Sequence, residues 1–106
     1  MFRIDGTKMI LTKGDTAEFR PIVEGYEAKE GDEIIFRVAK LYTDEPVIEM
    51  VVAAGDNIEF ASEDTSNLPT GSYLYQTKLV NVDGKISTFA TGTFMLMGEI
   101  NARTEG

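Results

Sequence analysis

The chain has 106 residues, and its 18 acidic side chains against 10 basic ones give a formal net charge of −8. That charge repels phosphate backbones and anionic lipid, so it argues against nucleic acid and membrane surfaces as partners. The sequence contains no Cys and no His, which excludes disulfides, thiolate and imidazole metal ligands, and Ser-His-Asp or Cys-His catalysis.

Apolar residues make up 42% of the chain, an ordinary share for one globular domain. No stretch approaches the ~20 apolar residues that a membrane span requires. Residues 1–15 reach charged side chains before any apolar run long enough for a signal peptide. We therefore expect a protein that is made and folded in a cytoplasm.

The first half of the chain predicts short strands, because its apolar and polar residues alternate with a period of two. One strand is expected around residues 9–12 and another over 16–24, where Ala17 and Phe19 face the same way. Pro21 cannot donate to a strand ladder, so the 16–24 strand is expected at a sheet edge or with a bulge. Further strands are expected at 33–42, 47–54 and 57–62, with Ile34, Phe36 and Val38 aligned on one face and Ile58 with Phe60 on another.

One helical stretch and one turn follow in the middle of the chain. Residues 62–68 predict about one helical turn, with Ser62 as its N-cap. Leu68-Pro69-Thr70-Gly71 is similar to a cell-wall sorting signal, but it lacks one residue of that signal and lies mid-chain. Proline fixes φ and glycine frees it, so this segment favours a turn before a strand.

The strongest hairpin signal lies in the last third of the chain. Residues 72–82 and 85–98 predict two strands, and Asp83-Gly84 between them favours a tight turn with positive φ. Gly92 predicts a bulge or bend in the second strand. Tyr73, two residues after a turn glycine, is placed like the corner tyrosine of immunoglobulin-like sandwiches, whose hydroxyl bonds to a nearby main-chain group.

Turn signals recur about every ten residues along the chain. Seven or eight short strands at this spacing predict an all-β, antiparallel two-sheet sandwich. We expect a single β-sandwich domain over residues 1–100 and a loosely ordered C-terminal tail at 101–106.

Gly-Asp pairs and acidic clusters are the candidate sites. Lys13-Gly14-Asp15 is similar to an adhesion tripeptide, but three Gly-Asp pairs each precede a predicted strand, which favours turns. Acidic side chains crowd three predicted loops: Glu27, Glu30, Asp32 and Glu33; Asp44 and Glu45; Glu63 and Asp64. Carboxylates suit calcium, but no Asp-x-Asp-x-Asp-Gly spacing occurs. A carboxylate pair for glycoside cleavage would need a cleft for which so small a chain leaves little room. No catalytic, cofactor-binding or metal residue is therefore predicted.

A series of short motifs, from about residue 9 to residue 100, is similar to a known family. The shared positions are Gly14-Asp15-Thr16, Gly31-Asp32, Phe36, Val38, Asp64-Thr65, Leu68, Gly71, Tyr73, Tyr75 and Asp83-Gly84. This order resembles a family of small tailed-phage and prophage proteins, which are similar to the immunoglobulin-like N-terminal domain of phage upper baseplate proteins. Lys13 stands where Arg is frequent in that pattern, and Gln76 where Asp often follows the second tyrosine.

The resemblance implies an immunoglobulin-like sandwich and a virion structural role with no enzymatic activity. It implies a module of a phage tail or baseplate that docks onto other phage structural proteins, with a homo-oligomer also open and with no nucleic acid, membrane or cofactor. We expect docking at free strand edges, around residues 9–12 and at the strand that contains Pro21. The candidate docking rim is formed by Glu27, Glu30, Asp32 and Glu33. The alternative is a module of a host-recognition device that binds cell-wall glycan or calcium.

Overall fold

A computed structural model describes residues 1–98, which form eight strands and one short helix. In chain order they are β1 (Phe2–Asp5), β2 (Lys8–Thr12), β3 (Ala17–Phe19), β4 (Glu33–Ala39), β5 (Ile48–Ala53), β6 (Ile58–Phe60), α1 (Ser62–Ser66), β7 (Gly71–Val80) and β8 (Ile86–Met97). The mostly-β prediction is confirmed. The tail predicted at 101–106 lies outside the described residues.

Six strands form one mixed sheet in the order β1-β2-β8-β7-β4-β5. All neighbours are antiparallel except β2 and β8, which run parallel from Lys8 beside Thr93 to Thr12 beside Met97. The prediction of a purely antiparallel sandwich is therefore wrong at this pair. The expected docking edge at residues 9–12 is also wrong, because β2 is paired with β1 on one side and β8 on the other.

The second sheet is small and contains only β3 and β6, paired antiparallel over three residues each. The strand predicted over 16–24 ends at Phe19, two residues before Pro21, so the proline lies outside the ladder. The architecture is thus a six-stranded mixed sheet with a two-stranded sheet beside it.

Aromatic side chains from both sheets form the centre of the core. Phe36 of β4 packs edge-on against Phe19 and Phe60 of the small sheet, with ring centroids 5.4 and 5.8 Å apart. Phe60 also lies 5.7 Å from Phe94 of β8. Edge-to-face pairs at these distances contribute beyond the burial of their area. The faces predicted from the period-two pattern for β4 and β6 are confirmed, since Ile34, Phe36, Val38, Ile58 and Phe60 are buried. Five residues of β7 and β8 are buried as well: Tyr73, Tyr75, Leu79, Phe94 and Leu96.

The irregularity in the β7–β8 ladder lies away from Gly92, where the sequence predicted it. Thr77 pairs with Ala90 and Lys78 with Thr88, so Phe89 is the extra residue. Gly92 has a different role, because a Cβ added there would lie 1.9 Å from the carbonyl oxygen of Thr7 in the β1–β2 turn. The glycine therefore lets that turn approach β8 closely.

The helix α1 begins one residue away from the predicted cap. Its N-cap is Ala61, and the backbone N–H of Ala61 donates to the carboxylate of Asp64 at 2.7 Å. Ser62 is already inside the helix. The predicted serine cap is therefore wrong, and the acid at the third helical position supplies the reciprocal bond of a capping box, to the N–H of the N-cap residue.

Candidate docking surface

The predicted motif residues divide between the two ends of the sheets. At one end, Gly14 follows β2 with φ +85° and donates its N–H to the hydroxyl of Thr65 in α1, with an N–O distance of 2.8 Å. Thr65 is fully buried. The carboxylate of Asp15 accepts from the amino group of Met1. The Gly-Asp-Thr and Asp-Thr motifs are therefore joined by one hydrogen bond across 51 residues of sequence.

Tyr73 at the start of β7 has the geometry expected of a corner tyrosine. Its hydroxyl donates to the carbonyl oxygen of Pro69, with an O–O distance of 2.5 Å. The Nζ of Lys40 lies 4.5 Å from the centre of the Tyr73 ring and donates to the carbonyl of Ser72. Burial raises the pKa of Tyr73 and, together with nearby Tyr42, that of Tyr75. Both tyrosine side chains pack in the hydrophobic core.

At the other end of the sheets, Asp32 is almost fully buried, with 1% of its surface exposed. Its Oδ2 accepts from the Tyr26 hydroxyl at 2.5 Å and the Lys29 N–H at 2.9 Å, and its Oδ1 accepts from the Val82 N–H at 3.1 Å. The hydrogen bond from the Tyr26 hydroxyl is the main cause that lowers the pKa of Asp32, and the bond from the Lys29 N–H is the next. The bond between Tyr26 and Asp32 also raises the pKa of Tyr26. Next to it, Gly31 has φ +93°, and a Cβ there would lie 2.7 Å from Val82.

The predicted hairpin turn at Asp83-Gly84 is present, and positive φ falls on Gly84, at 84°. Sequence reasoning missed Asn81, whose side-chain oxygen accepts from the N–H groups of Asp83 and Lys85, both at 2.9 Å. An Asn just before an Asp-Gly pair is the signal that would have found it, since Asn commonly bonds to the backbone two residues on.

The candidate docking rim is divided by burial. Glu27, Glu30 and Glu33 are exposed, as a rim requires. Asp32 is buried and bonded to three donors, so its assignment to the rim is wrong. Its place inside the protein follows from the need to satisfy the loop N–H groups around it.

The free edge of the large sheet at β5 was not predicted as a docking edge. The Ala54 N–H donates to the Asp32 carbonyl at 2.9 Å, and bonded residues alternate along an antiparallel ladder. The backbone N–H and C=O groups of Glu49, Val51 and Ala53 therefore point away from β4. Within residues 1–98 no other strand pairs with them.

An apolar patch continues from this edge across the uncovered face of the sheet. We define the patch as Val51, Ile35, Val80 and Ile86, which come from β5, β4, β7 and β8. Val51 pairs with Ile35 and Val80 with Ile86, so the patch is two apolar pairs in neighbouring rows of the sheet. Each row also contains one charged residue of the same face, since Lys78 pairs with Ile35 and Glu33 with Val80. Val51 is 53% exposed and Ile86 62% exposed. Ile35 and Val80 between them are half-buried. Apolar residues grouped on an uncovered face are typical of interaction surfaces.

A concave site lies beside the β4–β5 loop, on the same face of the sheet as the apolar patch. It is a cleft of about 440 Å³ whose lining includes Tyr42, Leu74 and the ion pair of Arg37 with Glu49. The Arg37 Nε lies 2.5 Å from the Glu49 carboxylate. Tyr42 is 55% exposed, so its ring is accessible beside polar groups.

Within residues 1–98, no group of three acidic side chains is placed to hold a metal ion. No helix in this part of the chain is long and apolar enough to cross a membrane.

Neither protein-family models nor curated proteins gave a match to this sequence.

Proposed function

We propose that this chain is a non-enzymatic structural or assembly module of a phage or prophage, associated with the tail or baseplate, and that it works by docking onto other structural proteins. The observation that carries the docking role is the unpaired β5 edge, which continues into the apolar patch. An open edge offers backbone hydrogen bonds, and the patch offers apolar area to bury.

The internal use of the motif residues supports a framework role. Four motif residues form side-chain hydrogen bonds to partners inside the domain: Thr65, Asp64, Asp32 and Tyr73. Polar groups that are committed to the fold in this way are not available for chemistry on a substrate. This pattern agrees with motifs that maintain a scaffold, as the resemblance to phage structural proteins implies.

We further propose that the two sheets form an immunoglobulin-like sandwich with one reduced sheet. The support is the phenylalanine cluster between the sheets and the corner bond from Tyr73 to Pro69. The short β3 and β6 would then correspond to a sheet that is longer in other sandwiches.

Peptide mass spectrometry on particles induced from the source cell tests the virion role, with tail and capsid fractions separated. We expect the chain at stoichiometric levels in the tail fraction and depleted from the capsid fraction. A chain that is abundant in the lysate and absent from every particle fraction would contradict the proposal.

A cell-wall glycan is the second candidate partner, and the exposed Tyr42 favours it. An aromatic ring beside an Arg–Glu pair suits a sugar, which offers an apolar face and hydroxyl groups. Titration with soluble cell-wall fragments, followed by NMR, should then shift the signals of Leu74 and Gln76 in wild type and not in Tyr42→Ala. The control is Val82→Ala, which changes an exposed position away from the cleft. Tyr26→Ala is not a suitable control because Tyr26 bonds to Asp32.

A further inference from the structure

The free strand edges differ in how well they are protected against pairing. Within residues 1–98, β1, β3, β5 and β6 each have one unpaired edge. The strands β3 and β6 have three residues each, and β1 has four, two of them charged. Natural sheets protect edges by short strands, charges, prolines and bulges. The six-residue β5 contains no Lys or Pro, and its one charge, Glu49, is paired with Arg37. Its ladder with β4 is regular.

A groove of about 620 Å³ lies beside the β5 edge. Its lining includes Met50, Val51 and Val52 of β5, Asn57 before β6, and Glu59 of β6. Paired strands lie ~4.8 Å apart. A strand added to β5 at that spacing would continue the six-stranded sheet and enter this groove.

The charges around the groove select the chemistry of the strand. Asp56 and Glu59 line it, and the Asn57 side chain donates to Glu18 at 2.9 Å. Arg20 is the single basic residue in the lining, and its Nε lies 3.4 Å from the Asn57 side-chain oxygen. Together with the net charge of −8, this balance attracts a basic segment. A second copy of the chain would bring the same acids and the same net charge, which disfavours self-pairing.

We propose that β5 accepts an extended, basic segment of a partner protein as an added strand, an inference that rests on the docking function proposed above. One face of the segment carries apolar residues that lie beside Val51 and extend the apolar patch. The other face carries Lys or Arg, whose aliphatic stems cover Met50 and Val52 while their charged ends reach Asp56 and Glu59. The backbone groups of Glu49, Val51 and Ala53 supply the ladder.

Amide hydrogen exchange with a synthetic probe tests the added strand directly. The probe is a six-residue peptide of alternating Val and Lys, and its control is the matched peptide of Val and Glu. With saturating Val-Lys peptide, the Glu49, Val51 and Ala53 amides should exchange at least about tenfold more slowly, which corresponds to about 1.4 kcal/mol. Protection should be absent with the Val-Glu peptide and should weaken as salt is added. Equal protection by both peptides, or by neither, overturns the proposal.

Matched proline variants separate this edge from the others. Val51→Pro removes an N–H that is not bonded to β4, so the fold should survive, and peptide protection of the Glu49 and Ala53 amides should be lost. Ile4→Pro makes the same change on the free edge of β1, where the Thr12 N–H bond to Met1 places the Ile4 N–H outward, and it should keep protection at β5. If Val51→Pro fails to fold, Val51→Lys at this exposed position should weaken binding of the basic peptide at least about fivefold. Unchanged binding to the folded variant overturns the proposal.

Incorporation into particles distinguishes this inference from the function on which it rests. Folded Val51→Pro chain should be depleted from tails at least about tenfold relative to wild type, and Ile4→Pro chain should enter normally. Normal incorporation of Val51→Pro overturns the β5 proposal and leaves the tail role standing. Absence of wild-type chain from tails removes the tail role, while the peptide result still decides the edge. Protection at β5 that rises with protein concentration in the absence of peptide shows a second copy on the edge and overturns the basic partner.

Discussion

The bond from the Gly14 N–H to the Thr65 hydroxyl should contribute measurably to stability, because Thr65 is fully buried. In Thr65→Val a methyl group replaces the hydroxyl at nearly constant volume, and the Gly14 N–H loses its acceptor. A buried donor left unsatisfied costs about 1–3 kcal/mol, and the removal of a buried hydroxyl offsets part of that cost. We expect a net loss of about 1–2 kcal/mol, or roughly 5–10 °C in melting temperature for a domain of this size.

The same substitution at Thr77 is the matched control. Thr77 is also almost fully buried, and its hydroxyl makes no hydrogen bond to another protein group within residues 1–98. Thr77→Val should therefore change the free energy of unfolding by less than about 0.5 kcal/mol, or stabilise the protein slightly. The comparison removes effects common to any buried Thr→Val change.

Urea unfolding measures both variants, followed by circular dichroism or by tyrosine fluorescence, since the chain has no Trp and four Tyr. Amide exchange at Gly14 adds a local readout, which should accelerate in Thr65→Val alone. Equal free energies of unfolding for the two variants, with Gly14 still protected, would refute the reasoning that this bond joins β2 to α1.

Three further outcomes follow from single contacts. Asp32→Asn should lower the urea midpoint at pH 7 and flatten its acid dependence. The reason is that folding lowers the pKa of the Asp32 carboxyl, so its ionised form stabilises the protein when the pH is above the ordinary pKa of 3.8. That stabilisation is lost as the pH falls toward the lowered pKa of the folded state. A variant with the acid dependence of wild type would contradict this. Gly92→Ala places a Cβ against a carbonyl of the β1–β2 turn and should cost about 1–3 kcal/mol, measured by thermal unfolding beside Gly98→Ala, whose added Cβ meets only an ordinary contact. Tyr73→Phe should lose about 1 kcal/mol in urea unfolding and Tyr42→Phe almost nothing, so equal losses would argue against the corner bond.

The period of two was sufficient to predict the strands of the core and their inward faces. Ile34, Phe36 and Val38 alternate with residues of the opposite face and are buried as expected. Alternation reports a face and not a neighbour, so it could not reveal that β2 lies between β1 and β8. The strand β1 was missed because its four residues include two charges and only Phe2 is partly buried.

The candidate site was predictable only in part, for a similar reason. Exposed acids were found at Glu27, Glu30 and Glu33 because charge in a loop is visible in sequence. The burial of Asp32 was not visible, since one of its donors, the Val82 N–H, lies 50 residues away. The open β5 edge depends on sheet order, although its run of β-branched residues without Lys or Pro was a signal.

The parallel pairing of β2 with β8 also determines when folding of the domain can be completed. Lys8 pairs with Thr93 and Thr12 with Met97, so this ladder closes a loop that contains nearly every other strand. On a ribosome, β2 leaves the exit tunnel early and must wait for β8, with the apolar side chains of Met9 and Leu11 still unburied. Contacts of such long sequence separation slow folding and prolong exposure to aggregation. The hairpin of β1 with β2 is local, so it can form during that wait and shield one side of β2 until synthesis reaches β8.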